Sequence, residues 1–310
     1  MEKNKMRYPL STSVHFFLDK DYNVSMADQV RRTANAGFKY LDFNFLDWSA
    51  DIRSPFVGEN WLKWAAEAGN AAAESGAVFN QAHAPVYDGI RYEGCTDEDM
   101  TEYMKRAIIA CAELKIPQMV WHPLWTLPEN SDQININYEA YAPLVEMSEK
   151  YGVGVAFENV WQTRRKTPLR NTDTLIEFVD GWKDENVGIC WDFGHGFITD
   201  GGTDIENDPY VNLKKIGRRL KATHVHDNCG KCDDHIAPFD GNINWERVMR
   251  ALYEIDYKYS FTYEAHNAVV RIPKEAPLIA DKKLRYLYEL GVTLVSWDSE
   301  KGFVDSELNL

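Results

Sequence analysis

No stretch of this 310-residue chain approaches the roughly 18 consecutive apolar residues that a membrane-spanning helix needs, and the opening MEKNKMRYPL leads into no apolar run of signal-peptide length. A cytoplasmic protein with no membrane partner is expected. Cysteine is scarce: Cys95, Cys111, Cys190, Cys229 and Cys232 are irregularly spaced and too few for a disulfide framework in a chain this long. Cys229 and Cys232 make a lone CxxC, which without a second one reads as two reduced thiols in a loop. Basic residues are outnumbered, 34 Lys and Arg against 48 Asp and Glu. The formal net charge of −14 opposes loose adsorption to phosphate backbones and disfavours nucleic acid as a partner. No Pro/Gly/Ser linker or low-complexity run interrupts the chain, so one domain over residues 1–310 is expected.

What is present is an alternation repeated eight times. Strand patterns read at about 12–17, 39–45, 77–83, 117–122, 153–158, 187–192, 221–226 and 259–264. Helix patterns follow them at 25–36, 59–75, 97–114, 138–151, 172–183, 209–220, 244–254 and 276–290, the first opening at Ser25 and closing at Gly37. Strand-then-helix units imply right-handed crossovers and a parallel sheet, and eight of them close an α/β (β/α)₈ barrel. Residues 291–310 follow as a C-terminal extension.

The histidines sort with this pattern. His15, His83, His122, His195, His224, His226, His235 and His266 all fall at or just beyond strand ends and none in a segment that reads as helix. Glu158, Asp192 and Glu264 end their strands beside them. In such barrels the catalytic groups gather at the C-terminal strand ends, around one mouth. Imidazoles and carboxylates converging there are the donors a divalent metal ion needs. Side chains alternate along a strand, so His224 and His226 face the same side. Asp42, Asn44 and His15 can line the mouth, and His266 can meet a substrate hydroxyl or support a neighbour.

The segments QAHAPVYDG, VWHP, FENVW, CWDFGHGF, LKATHVHDN, DDH and YEAH, in this order on strands three to eight, resemble the xylose isomerase-like TIM barrel superfamily. That superfamily includes sugar phosphate isomerases and epimerases and the endonuclease IV enzymes, and the likeness spans roughly residues 10–290. The resemblance implies one divalent ion held by Glu158, Asp192, His224 and Glu264, with His226 as the alternative on strand seven. Mn²⁺ is expected, with Mg²⁺, Co²⁺ or Zn²⁺ as alternatives. It implies a sugar or sugar derivative as substrate. Glu158 and Glu264 would stand on opposite faces as base and acid, removing a proton next to a carbonyl to give a metal-stabilised enediolate. The segment DGNINWERV resembles the family's Gly-x-Ile-x-Trp turn after strand seven. The related epimerases carry an arginine shortly after this HxH, where this chain has Asn228, Cys229, Gly230 and Lys231. The implied reaction is therefore sugar isomerisation or epimerisation as a class.

Two alternatives stay open on the same scaffold. The endonuclease IV ligand pattern also finds a counterpart at every position, through His83, His122, His195, Asp233 and His235 besides the four above, which implies a multinuclear zinc site and phosphodiester hydrolysis. His226 can join that set. A carbon-glycoside-cleaving lyase is the other alternative, and a binding barrel without catalysis is a third class. Trp121, Trp125, Trp161, Trp191 and Phe193 lie near the expected mouth, with Trp121 and Trp161 the candidates for stacking on substrate. Of the cluster Arg164, Arg165, Lys166 and Arg170, Arg164 is the candidate for an anionic substrate group. The run KKIGRRLK at 214–221 precedes strand seven and reads as a solvated face at the barrel bottom. A homo-oligomer is left open.

Overall fold

The computed structural model describes residues 7–17, 24–87, 91–124, 127–128, 131–161, 168–198 and 208–303. Its strands are β1 (Leu10–Ser13), β2 (Tyr40–Asn44), β3 (Val78–His83), β4 (Gln118–Trp121), β5 (Gly154–Glu158), β6 (Val187–Asp192), β7 (Leu220–His224) and β8 (Phe261–Tyr263). The helices are α1 (Met26–Asn35), α2 (Leu46–Ser49), α3 (Trp61–Glu74), α4 (Asp97–Glu113), α5 (Gln133–Lys150) and α6 (Thr172–Gly181). They continue with α7 (Phe193–Phe197), α8 (Pro209–Ile216), α9 (Trp245–Glu254), α10 (Asn267–Val270) and α11 (Pro277–Val295). Local chemistry sets the boundaries. Ser25 Oγ accepts from Asp28 N at 3.1 Å to start α1, and Thr96 and Asp99 form a reciprocal capping box at the head of α4.

All strand pairs are parallel, in the order β7-β6-β5-β4-β3-β2-β1-β8. The remaining seam closes just past β7. Val225 N donates to Thr262 O at 2.8 Å and Glu264 N donates to Val225 O at 3.1 Å, forming a parallel bridge between Val225 and Tyr263. This is the eight-stranded barrel that the alternation predicts.

Alternation along the strands separates two apolar regions. Outward residues pack against the helices, Phe43 on Trp64 of α3, Phe157 on Phe178 of α6 and Tyr263 beside Gly291 of α11. A separate small cluster, Val120, Ala156, Cys190 and Ala222, fills the interior on β4 to β7. Two residues further along, on the same face, stand His122, Glu158, Asp192 and His224. The interior therefore passes from small apolar groups to the ligand types within one step of the pleat.

Four boundaries depart from the sequence reading by four residues or more. β1 ends at Ser13, because Val14 and Phe16 are buried in the loop beyond it rather than in the sheet. α5 starts five residues early, at Gln133, where Asp132 caps it by accepting from Asn135 N at 3.2 Å. α8 ends at Ile216, and a 3₁₀ turn at Gly217–Arg219 leads into β7. α11 runs on to Val295, through Gly291, whose Cα packs closely on Leu10 and Tyr263. Of the expected extension, 291–295 is thus helix. Trp297 beyond it is buried and its Nε1 donates to Glu246 Oε2 at 2.6 Å. Among the described residues no helix is long and apolar enough to cross a membrane.

Candidate metal centre

The register of the barrel brings the strand-end groups together. Glu158 pairs with Cys190 and Asp192 with His224, while His83 lies beside Asn44 on β2 and Val120 on β4. All of His83, Glu158, Asp192, His224, His226 and Glu264 are buried. Around Glu158 Oε2 lie His224 Nδ1 at 3.1 Å, His122 Nε2 at 3.2 Å and His83 Nε2 at 3.6 Å. His224 Nδ1 is also 3.5 Å from Glu264 Oε2. The other oxygen of Glu158, Oε1, lies 3.0 Å from His195 Nδ1.

A second group adjoins the first. His226 Nε2 is 3.0 Å from Asp192 Oδ1 and 3.6 Å from Asp233 Oδ1. Asp233 Oδ2 lies 3.1 Å from His235 Nε2 and 3.4 Å from His195 Nε2. Both histidines of the HxH therefore face the mouth, His224 toward Glu158 and Glu264, His226 toward Asp192 and Asp233. His195 departs from the sequence pattern, since it lies in the one-turn helix α7. Asp192 caps that turn, accepting from His195 N at 2.6 Å, and so places His195 against Glu158. Gly194 in the same turn has no room for a Cβ, which would meet the ring of His226.

The loop after β7 is fastened by a residue that the sequence reading passed over. Asp227 accepts from Asn228 N at 2.9 Å, Phe239 N at 3.0 Å, Ile243 N at 3.1 Å and Trp245 Nε1 at 2.8 Å. Gly241, Ile243 and Trp245 belong to the DGNINW turn, so this carboxylate ties that turn to the strand end and holds the loop bearing Asp233 and His235. Cys190 was also missed. It sits below the site, within reach of Glu158 and His224, and its position two residues before Asp192 was the available signal.

These side chains fit a divalent cation. Asp192 Oδ2 is buried with no hydrogen-bond partner, and Glu158 Oε2, Asp233 Oδ1, both nitrogens of His224 and Nε2 of His226 lie close to one another's groups without a well-formed hydrogen bond. Buried polar atoms are normally paired, so the orphaned acceptors and lone pairs converging here need a ligand. The surrounding set is imidazole and carboxylate, which suits Mn²⁺, Mg²⁺, Co²⁺ or Zn²⁺. Overlapping groups share Glu158, which meets His83 and His122, Cys190 and His224, or Asp192 and His195; His83, His224 and Glu264 form a further group, and His195, His226, Asp233 and His235 a quartet.

Charge pairing dominates the electrostatics. Burial works against the charge of Glu158, but His224, His122 and His195 hold its carboxyl well below the usual range. Burial likewise opposes a proton on His195, and Asp192, Asp233 and Glu158 outweigh it, raising that histidine well above its ordinary value. His224 is raised in the same way by Cys190, Glu264 and Glu158. Asp42, deeper on β2, is pushed up by burial to about 6.

The expected aromatic rim is corrected in part. Trp121 points away from the mouth, because it alternates with the inward Val120, and it packs at ring-centroid distances of 5.5 Å on Tyr141 and 5.9 Å on Phe157. Trp191 and Phe193 are also buried, Trp191 against Gly196 and Phe193 against Trp245 and Phe261. Trp161 follows β5 and is half-buried. Arg164, with Arg165 and Lys166, and Trp125 lie outside the described residues, while Arg170 is largely buried at the end of a 3₁₀ turn. Cys229 and Cys232 are free and exposed. In the 214–221 run, Lys214 pairs with Glu254, Lys215 with Asp173 and Arg219 with Asp180, as a solvated face would.

A family model for the xylose isomerase-like TIM barrel matches residues 30–290. The protein MJ1311 of Methanocaldococcus jannaschii is 29% identical over 171 residues, 54% of this chain and 56% of that protein, so the chain spans about half the length of that relative. Among solved structures, a D-tagatose 3-epimerase-like protein is similar with a TM-score of 0.65 at 20% identity, over 91% of this chain and 98% of its own. D-allulose 3-epimerase from Methylomonas sp., in complex with D-allulose, gives 0.67 at 16% identity, over 92% and 96%. At these identities the likeness is one of fold. The chain belongs to the xylose isomerase-like TIM barrel family.

Proposed function

We propose that this protein is a divalent-metal-dependent sugar isomerase or epimerase that moves a proton next to a sugar carbonyl. The observation that carries the reading is the placement of Glu158 and Glu264. Both are buried strand-end carboxylates, and both approach the same nitrogen, His224 Nδ1, at 3.1 and 3.5 Å. Glu158, Asp192, His224 and Glu264 would hold the ion, with Mn²⁺ the expected metal. When bound, it supplies a Lewis acid that polarises a carbonyl oxygen. Glu158 and Glu264 supply the base and the acid, one removing a proton from the carbon beside the carbonyl and the other returning one. Burial keeps competing water from both carboxylates. Trp161, three residues past Glu158, would offer an apolar ring for a sugar face. The similarity in fold to a D-allulose 3-epimerase in complex with D-allulose and to a D-tagatose 3-epimerase-like protein supports a sugar substrate.

A second reading rests on the quartet His195, His226, Asp233 and His235, which a single-ion epimerase does not require. Filled by zinc together with the Glu158 group, it would make a multinuclear centre suited to phosphodiester hydrolysis. The test is incubation of the Mn²⁺-loaded chain with a panel of ketoses, keto-glycosides and sugar acids in D₂O, followed by NMR. Deuterium entering the carbon next to the carbonyl of one substrate is expected. Cleavage of phosphodiesters by the zinc-loaded chain, with no exchange on any sugar, would favour the second reading.

A further inference from the structure

Beneath the strand-end carboxylates lies a buried polar layer that the proposed reaction does not use. Ser13, Asp42 and Gln81 are register neighbours across β1, β2 and β3, and Thr262 Oγ1 of β8 donates to Gln81 Oε1 at 3.3 Å. Asp42 has no exposure, and neither of its carboxylate oxygens has a hydrogen-bond partner. A buried carboxylate is among the costliest groups to leave unpaired, so one without a donor calls for an explanation. His224 Nε2, itself buried, faces Asp42 Oδ2 at 4.0 Å, and the thiol of Cys190 also adjoins this imidazole. Of the other imidazoles near Asp42, His83 is engaged at both nitrogens, Nδ1 with Ala84 O at 2.8 Å and Nε2 with His122 Nε2 at 3.1 Å, and His15 Nδ1 is engaged with Asn44 Nδ2 at 2.9 Å.

The two nitrogens of His224 thus meet different surroundings. Nδ1 turns to Glu158 and Glu264, and Nε2 turns down to Asp42. A neutral imidazole has one lone-pair nitrogen and one N–H, and the group bonded to the N–H decides which is which. We propose that Asp42 is a positioning residue for His224, its carboxylate accepting from Nε2–H and so holding the ring with Nδ1 toward a divalent cation between Glu158 and Glu264. A small rotation of the carboxyl brings the 4.0 Å separation within hydrogen-bond reach. Asp42 touches no substrate in this role. The inference rests on the reading that Glu158, His224 and Glu264 hold a cation.

The test is metal affinity of the full chain, by competition with a chromophoric chelator, together with ¹⁵N NMR of the His224 ring. Asp42→Asn should bind Mn²⁺ about 10–100-fold more weakly than the unaltered chain, the range found for outer partners of metal-bound histidines. Asp42→Glu, which keeps the carboxylate, should recover part of that loss. In the unaltered chain, loaded with diamagnetic Zn²⁺ for the spectrum, the Nε2 proton of His224 should be shifted downfield by its hydrogen bond to the Asp42 carboxylate. Metal on Nδ1 alone already places that proton on Nε2, so the readout is this downfield shift, which a merely structural role of Asp42 would not produce and which can be read in the unaltered chain even if Asp42→Asn does not fold. Unchanged affinity in Asp42→Asn, or an Nε2 proton without the downfield shift, would overturn the proposal. A chain that takes up no divalent ion would overturn it together with the proposed function, whereas normal uptake with no effect of Asp42→Asn would overturn this inference alone.

Discussion

His226 Nε2 stands 3.0 Å from Asp192 Oδ1, while His224, two residues earlier on the same face, turns its Nδ1 to Glu158 and Glu264. The two histidines of one HxH therefore serve different halves of the centre. If the functional ion sits with Glu158 and Glu264, the two should not be interchangeable. His224→Ala should weaken binding of the first divalent ion by more than the 10–100-fold typical of outer partners, and His226→Ala by about tenfold or less. Isothermal titration with Mn²⁺ measures both, and the reverse order would move the ion to the outer half.

Glu264 tests the proton-transfer reading. Glu264→Gln keeps a metal-binding oxygen and nearly the same shape but cannot take or give the proton. With a substrate in hand, kcat should fall by about 10²–10⁴-fold, the usual share of a general acid or base. A loss in KM with kcat intact would mark Glu264 as a binding group instead.

The clamp around Asp227 predicts a stability effect separable from chemistry. Four N–H groups converge on that carboxylate, which is buried. Asp227→Ala leaves them unsatisfied and should cost about 3–5 kcal/mol in denaturant unfolding. A change below about 1 kcal/mol would show that the loop is held by other means.

The charge pattern fixes the sign of a pH effect. In the metal-free protein His195 and His224 are raised well above their ordinary value, so both carry protons at neutral pH. A cation on His224 needs that imidazole bare, so its proton must leave as the ion binds, and the ion's charge also disfavours the proton on His195 beside it. Affinity should therefore rise as pH is raised through the two elevated values and fall as pH is lowered, with protons released on loading. Calorimetry in buffers of different ionisation enthalpy counts them. Affinity that falls between about pH 6 and about pH 8 would contradict this account.

Much of this was legible in the sequence because strand ends are marked by a change of residue type. The patterns VGVAFE, VGICWD and YSFTYE each finish on a carboxylate, and the strands observed there end at Glu158 and Asp192 and, for β8, one residue before Glu264. What escaped has identifiable causes. Trp121 was placed at the mouth by its nearness to His122, yet alternation from His122 already turns it outward. The helix pattern read at 276–290 runs on through Gly291, whose missing side chain serves the approach of α11 to Leu10. Asp227 looked like one more polar residue of HVHDN, since its four donors come from up to 18 residues further along the chain. His195 read as a loop residue because one turn of helix is too short to show a period.

The most direct test of the central claim is metal content, by inductively coupled plasma mass spectrometry, of the chain purified without chelator or nickel affinity, beside Glu158→Gln. The account predicts about one manganese, magnesium or cobalt ion per chain, lost in a variant that still folds. No divalent ion, or full occupancy retained in Glu158→Gln, would contradict it, and two or three zinc ions per chain would shift the assignment to phosphodiester hydrolysis.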